Sequence, residues 1–81
     1  MAWFVYILTC SDGTYYTGIT NDISRRLAQH QAGKASKYTR SRLPVSLTAS
    51  AEVSSKSEAL KKECLIKALP RQKKLALLLS C

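Results

Sequence analysis

Apolar and polar positions change their period several times along the chain of 81 residues, and each change marks an element. Trp3 to Cys10 is a run of aromatic, β-branched and apolar side chains that reads as a strand. Ser11-Asp12-Gly13 supplies turn chemistry, and Thr14 to Ile19 reads as a second strand, which predicts an N-terminal hairpin. The length of its loop decides which side chains share a face. A two-residue Asp12-Gly13 turn sets Thr9 opposite Tyr16 and sends Tyr6 to the other side of the sheet. A three-residue Ser11-Asp12-Gly13 loop with Gly13 left-handed pairs Cys10 with Thr14, Leu8 with Tyr16 and Tyr6 with Gly18, so both tyrosines share one face.

Thr20-Asn21-Asp22 offers an N-cap and a first-turn acid, and Ile23 to Gln31 follows as a short helix ended near Gly33. Ile23 and Leu27 mark its buried stripe. At 100° per residue Arg26 and His30 fall within about 60° of Ile23, beside that stripe, and so look along the sheet. Residues 32–44 carry Lys34, Lys37, Arg40 and Arg42 with the aromatic Tyr38 and no acid, which reads as a basic loop. Val45 to Val53 resumes as a third strand. Ser55-Lys56-Ser57-Glu58 has the spacing of a capping box and starts a helix reaching Leu69. Pro70 closes that helix and opens a last one, Arg71 to Leu79, with Leu75, Leu78 and Leu79 as its apolar stripe. The order ββαβαα predicts an α+β fold, a small three-stranded antiparallel sheet packed by helices, in one domain over residues 1–81.

A chain of this length has room for one small core and excludes a two-domain enzyme, while 46% hydrophobic residues exclude a disordered basic tail. Thirteen Lys and Arg against five Asp and Glu give a net charge of +8. The charge is uneven: residues 1–24 sum to −2, 25–42 to +6, 43–55 to −1 and 56–81 to +5. Two basic blocks of this kind suit a polyanion, since each cation placed on a phosphate releases counterions; an ordinary solvated surface is the other reading. Cys10, Cys64, Cys81 and the one histidine stand far apart without a CxxC pair, which argues against a zinc site or a disulfide framework and suits a reducing cytoplasm. The expectation is a protein without a membrane segment or leader, the first apolar run being far shorter than the roughly 20 residues of a membrane helix. With cysteine as the last residue, no prenylation signal is expected.

Glu63 is the most informative single residue. On an ideal helix Ala59, Leu60, Ile66 and Lys67 all lie within about 60° of it, so a carboxylate sits across an apolar face. Such an acid must be paired, bind a metal or open onto a cleft, because an unpaired buried charge costs several kcal/mol. An i,i+4 pair with Lys67 is the plain alternative.

Tyr6, Tyr16, Arg26, His30 and Glu63 together resemble the GIY-YIG nuclease superfamily, whose two name-giving tripeptides stand here as Phe4-Val5-Tyr6 and Tyr16-Thr17-Gly18. The chain is most similar to the small single-domain, YhbQ-like members over nearly its whole length, including GxT at Gly18 to Thr20 and GKxxKYTR at Gly33 to Arg40. The resemblance implies phosphodiester hydrolysis, in DNA more than RNA, with one divalent cation, Mg2+ or Mn2+, held by Glu63. It implies Tyr16 as general base with Tyr6 positioning or sharing that proton, and Arg26 as the clamp on the phosphoryl oxygens. A phenol is a poor base at neutral pH and requires a cation beside it, Arg26 or a protonated His30. His30 is then either a hydrogen-bond partner of a tyrosine or a second phosphate contact.

Arg25, Lys34, Lys37, Tyr38, Arg40, Arg42 and Lys67 are the expected nucleic-acid contacts. Tyr15 reads as structural. The first tripeptide departs from GIY and the second from YIG, though both tyrosines and the last glycine remain, and no asparagine follows Glu63. The chain resembles only the catalytic module of larger relatives, which implies weak sequence preference or a targeting protein partner, acting as a monomer or weak dimer. Two further readings are a basic nucleic-acid-binding module with little or no turnover, and an interaction domain for a protein.

Overall fold

In the computed structural model, which describes residues 2–79 without the side chain of Leu79, the apolar N-terminal run forms β1 (Trp3–Thr9). It is the middle strand of a three-stranded antiparallel sheet, with β2 (Tyr15–Thr20) and β3 (Ser46–Val53) on its two sides. Its central position explains its composition: Val5, Tyr6, Ile7 and Leu8 are all buried because both faces are covered. Of the two hairpins the sequence allows, the three-residue loop forms. Gly13 takes φ +83°, Cys10 N–H donates to the Thr14 carbonyl at 2.8 Å, and the register sets Leu8 against Tyr16 and Tyr6 against Gly18. Asp12 fastens the loop by accepting from the Thr14 N–H at 3.1 Å and its hydroxyl at 2.6 Å.

Helix α1 (Ile23–Gln31) lies on the Tyr6 and Leu8 face. Asp22 is its N-cap and not a first-turn acid, accepting from the Arg25 N–H at 3.1 Å. Ile23 and Leu27 pack on Tyr6 and Leu8 but stay half-buried; the buried residue of α1 is His30. Gln31 ties the end of the helix to the third strand, its amide oxygen accepting from Val45 N–H at 3.2 Å and its amide nitrogen donating to the Val45 carbonyl. The basic stretch is not all loop: Lys37–Arg40 form a one-turn helix, α2, whose N-cap Ser36 accepts from the Tyr38 N–H at 3.1 Å. The larger elements keep the order ββαβαα, with α2 inserted after α1.

Helices α3 (Lys56–Lys67) and α4 (Arg71–Leu79) cover the opposite face, where Ala59, Ile66 and Leu78 bury against Val5 and Ile7. The capping residue is Ser55, as expected, its Oγ accepting from Glu58 N–H; only the return bond differs, the Glu58 carboxylate accepting from the Ser54 hydroxyl at 2.8 Å and not from Ser55 N–H. Helix α3 stops at Lys67, short of Leu69, and Lys74 donates to the carbonyls of Ile66 at 2.9 Å and Lys67 at 3.3 Å, groups that the ending helix leaves open. In α4 Leu78 is buried and Leu75 half-buried, as the stripe predicts, while the Leu79 side chain and Cys81 lie outside the described residues. No helix among the described residues is long and apolar enough to cross a membrane.

Candidate active site

The register of the hairpin makes Tyr6 and Tyr16 diagonal neighbours on one face, and α1 lowers His30 between them. The imidazole meets both rings edge-on, with centroids 5.8 Å from Tyr6 and 5.2 Å from Tyr16. Its Nε2 lies 2.9 Å from the Tyr6 hydroxyl and its Nδ1 2.8 Å from the Thr39 hydroxyl. Gly18 gives the Tyr6 phenol its place: a Cβ there would stand 2.5 Å from the phenolic oxygen.

His30 is only 1% exposed with both ring nitrogens engaged, so a phosphate cannot reach it; of its two expected roles, the tyrosine partner is the one the geometry allows. The neutral form of His30 is also favoured over the protonated one. Burial and then the Arg26 charge hold its pKa below the ordinary 6.5, so the ring is neutral at pH 7. Burial also pushes the Tyr6 phenol well above its usual value, Tyr16 and Glu63 add to the rise, and Arg26 opposes it. Tyr6 therefore keeps its proton, and Arg26 is the one cation felt by both groups.

Arg26 stands one turn before His30 on α1, half-buried, and its Nε is a buried donor with no partner among the described residues. A donor left so costs about 1–3 kcal/mol, which an incoming anion would remove. It borders a groove lined by Thr20, Asn21, Asp22, Arg25 and Gln29. Glu63 projects from α3, its side chain 19% exposed, and forms the i,i+4 pair with Lys67 at 3.3 Å. Its carboxylate is the smallest of the influences that raise the Tyr6 pKa. Among the described residues no three of His, Cys, Asp and Glu converge, so a cation here would have one carboxylate and take water or phosphate for the rest, a set Mg2+ tolerates.

The expected nucleic-acid contacts divide. Arg25, Lys37 and Arg40 are exposed, as is Lys34, and none of the four has a carboxylate partner among the described residues. Arg42, in contrast, is not free. Its Nε donates to Asp12 at 3.0 Å, its NH1 donates to the Tyr38 carbonyl at 3.0 Å, and its guanidinium lies 3.9 Å over the Tyr38 ring. The four-cation stretch thus has a carboxylate after all, supplied by the hairpin loop. Tyr38 stacks on Tyr16 at 5.9 Å and still keeps 36% of its surface exposed. Lys67 is drawn to Glu63. Tyr15 packs on the other face under Arg71, as a structural residue. Thr39, buried at 0% exposure, is not recognisable from the sequence, since a lone threonine in a polar stretch carries no period.

A family model described as the GIY-YIG catalytic domain matches residues 2–76. A UPF0213 protein of Halobacterium salinarum is 55% identical over 90% of this chain and 95% of its own length. One of Cupriavidus pinatubonensis is 51% identical over 91% of this chain and 82% of its own. The solution NMR structure of a UPF0213 protein from Bacillus halodurans superposes with a TM-score of 0.59 at 48% identity, covering 95% of this chain and 82% of that one. That of a protein from E. faecalis gives 0.64 at 38% identity, over 95% and 83%. The chain belongs to the GIY-YIG nuclease superfamily, among its small UPF0213 members.

Proposed function

We propose that the protein is a metal-dependent nuclease that hydrolyses phosphodiester bonds in DNA. The observation that carries this reading is the buried Arg26 Nε, which has no partner among the described residues, on a side chain that lines one pocket with Tyr6 and whose charge acts on Tyr6 and His30. Arg26 binds a phosphoryl oxygen and its planar fork follows the charge that grows there. Tyr16, in its phenolate form, takes a proton from the attacking water; the water oxygen bonds to phosphorus as the P–O ester bond breaks, and the departing oxygen takes a proton from solvent. Tyr6 holds the water's place and is itself held by His30. Glu63 is the residue to hold Mg2+ or Mn2+, and such an ion, when bound, neutralises phosphoryl charge and acidifies water. Lys67 engages only Oε2 of Glu63, so an ion would meet the other carboxylate oxygen or displace that lysine.

That ion pair favours a second reading, a basic module that binds nucleic acid and turns over slowly or not at all. Cleavage of labelled single-stranded, duplex and branched DNA with Mn2+ separates the two. Hydrolysis by the wild type, reduced roughly 100-fold or more in Tyr16→Phe and in Glu63→Ala, supports the nuclease. Equal cutting by all three, or cutting by none, leaves the binding module.

A further inference from the structure

We infer that Thr39 is a positioning residue that fixes His30 as its Nδ1–H tautomer, so that Nε2 receives the Tyr6 hydroxyl hydrogen. Counting hydrogens gives the direction. The Thr39 hydroxyl owns one, and it is donated to the Ser36 carbonyl at 3.3 Å. Oγ1 can then only accept from His30 Nδ1, 2.8 Å away, which puts the ring hydrogen on Nδ1. The imidazole is neutral, so Nε2 is a bare acceptor, and the hydroxyl 2.9 Å from it must be the donor.

Reversing the chain makes Thr39 donate to Nδ1 and Nε2–H donate to Tyr6. That takes Thr39's hydrogen from the Ser36 carbonyl and leaves a phenol hydrogen at 3% exposure without the acceptor it now has. The observed polarity runs Tyr6 to His30 to Thr39 to Ser36, from a strand through α1 into α2.

Helix α2 is a single turn, too short to hold itself, and it is fixed by the Ser36 cap, by Arg42 on the Tyr38 carbonyl and by this chain. The same turn displays Lys37 and Arg40 to solvent. A segment expected to meet phosphate on its outside thus holds the histidine tautomer on its inside.

The catalytic consequence rests on the nuclease reading; the tautomer does not. The test records the His30 ring 15N shifts by long-range 1H–15N correlation in wild type, Thr39→Ser and Thr39→Val, alongside cleavage kinetics. Wild type and Thr39→Ser are expected to show a protonated Nδ1 and a bare Nε2. Thr39→Val is expected to move the hydrogen to Nε2, wholly or in part. Its kcat should fall roughly 10- to 100-fold at nearly unchanged KM, as when an orienting partner is removed, and the serine variant should recover it. A protonated Nε2 in the wild type overturns the inference, even if the valine variant does not fold, and so does a valine variant with the wild-type shifts. Expected shifts with no cleavage by any variant would instead sink the nuclease and leave the hydrogen-bond chain standing.

Discussion

His30 is the only histidine in the chain and almost wholly enclosed, which makes it a reporter as well as a wedge. Its folded-state pKa lies below the 6.5 of an exposed ring, so between those two values the unfolded chain binds a proton that the folded chain does not. The neutral ring's contribution to stability is therefore fully present above pH 6.5 and is lost as the pH falls from there toward the folded value. The slope is at most about 1.4 kcal/mol per pH unit. Asp12 and Glu58, whose carboxyls are held low chiefly by hydrogen bonds from Thr14 and Ser54, weaken the fold only at pH values near and below their ordinary 3.8 and 4.5. Thermal unfolding from pH 7.5 to 5.5 should accordingly show a falling Tm in the wild type and a nearly level one in His30→Gln. A wild-type Tm that is flat across this window would mean the ring is not buried as a neutral group.

Strand β2 owes its part in the site to a gap. At Gly18 the missing side chain leaves the space that the Tyr6 phenol occupies, and an added Cβ would stand 2.7 Å from the ring carbon that carries the hydroxyl. Gly18→Ala should push the phenol off His30 Nε2 and cost about 1–3 kcal/mol, because strand and helix hold the ring on both sides. Chemical denaturation and the His30 ring shifts check this; full stability with unchanged shifts would refute it. The glycine was legible in the YTG tripeptide, but the reason for it was not, since a close approach between strands is set by register. Register itself hung on Gly13: two hairpins fitted the sequence, and only the left-handed Gly13 of the longer loop puts Tyr6 and Tyr16 on one face. The three longer helices announced themselves by period and caps, whereas the single turn of α2 has no period to read and passed as loop. Asp12 and Arg42 stand 30 positions apart, so counting charge within a stretch could not pair them.

Across the whole molecule the two basic blocks do different things, although the sequence presents them alike. In the C-terminal block Lys56 lies over Trp3, Arg71 over Tyr15, Lys74 on the open carbonyls of α3, and Lys67 on Glu63. Lys56 and Arg71 fasten helices to the sheet, Lys74 joins α4 to α3 and Lys67 pairs within α3, while Lys61, Lys62 and Lys73 have no carboxylate partner among the described residues. On the opposite layer Arg25, Lys34, Lys37 and Arg40 are likewise spent on no carboxylate among the described residues, so the tyrosine face carries unpaired positive charge of its own. A polyanion drawn to it arrives where the buried Arg26 Nε has no acceptor among the described residues. The salt dependence of duplex binding distinguishes free cations from committed ones, since each cation that sits on a phosphate adds about 0.9 to the steepness of the log–log plot. Lys37→Gln with Arg40→Gln should flatten the plot by nearly twice that amount and weaken binding to all sequences alike. Arg42→Gln should instead lower the Tm, by releasing Asp12 and Tyr38, while leaving the slope nearly unchanged. If the double variant keeps the wild-type slope, or Arg42→Gln flattens it as much, α2 is not where the nucleic acid lies; a shallow slope in the wild type itself would point to a protein partner for this charge.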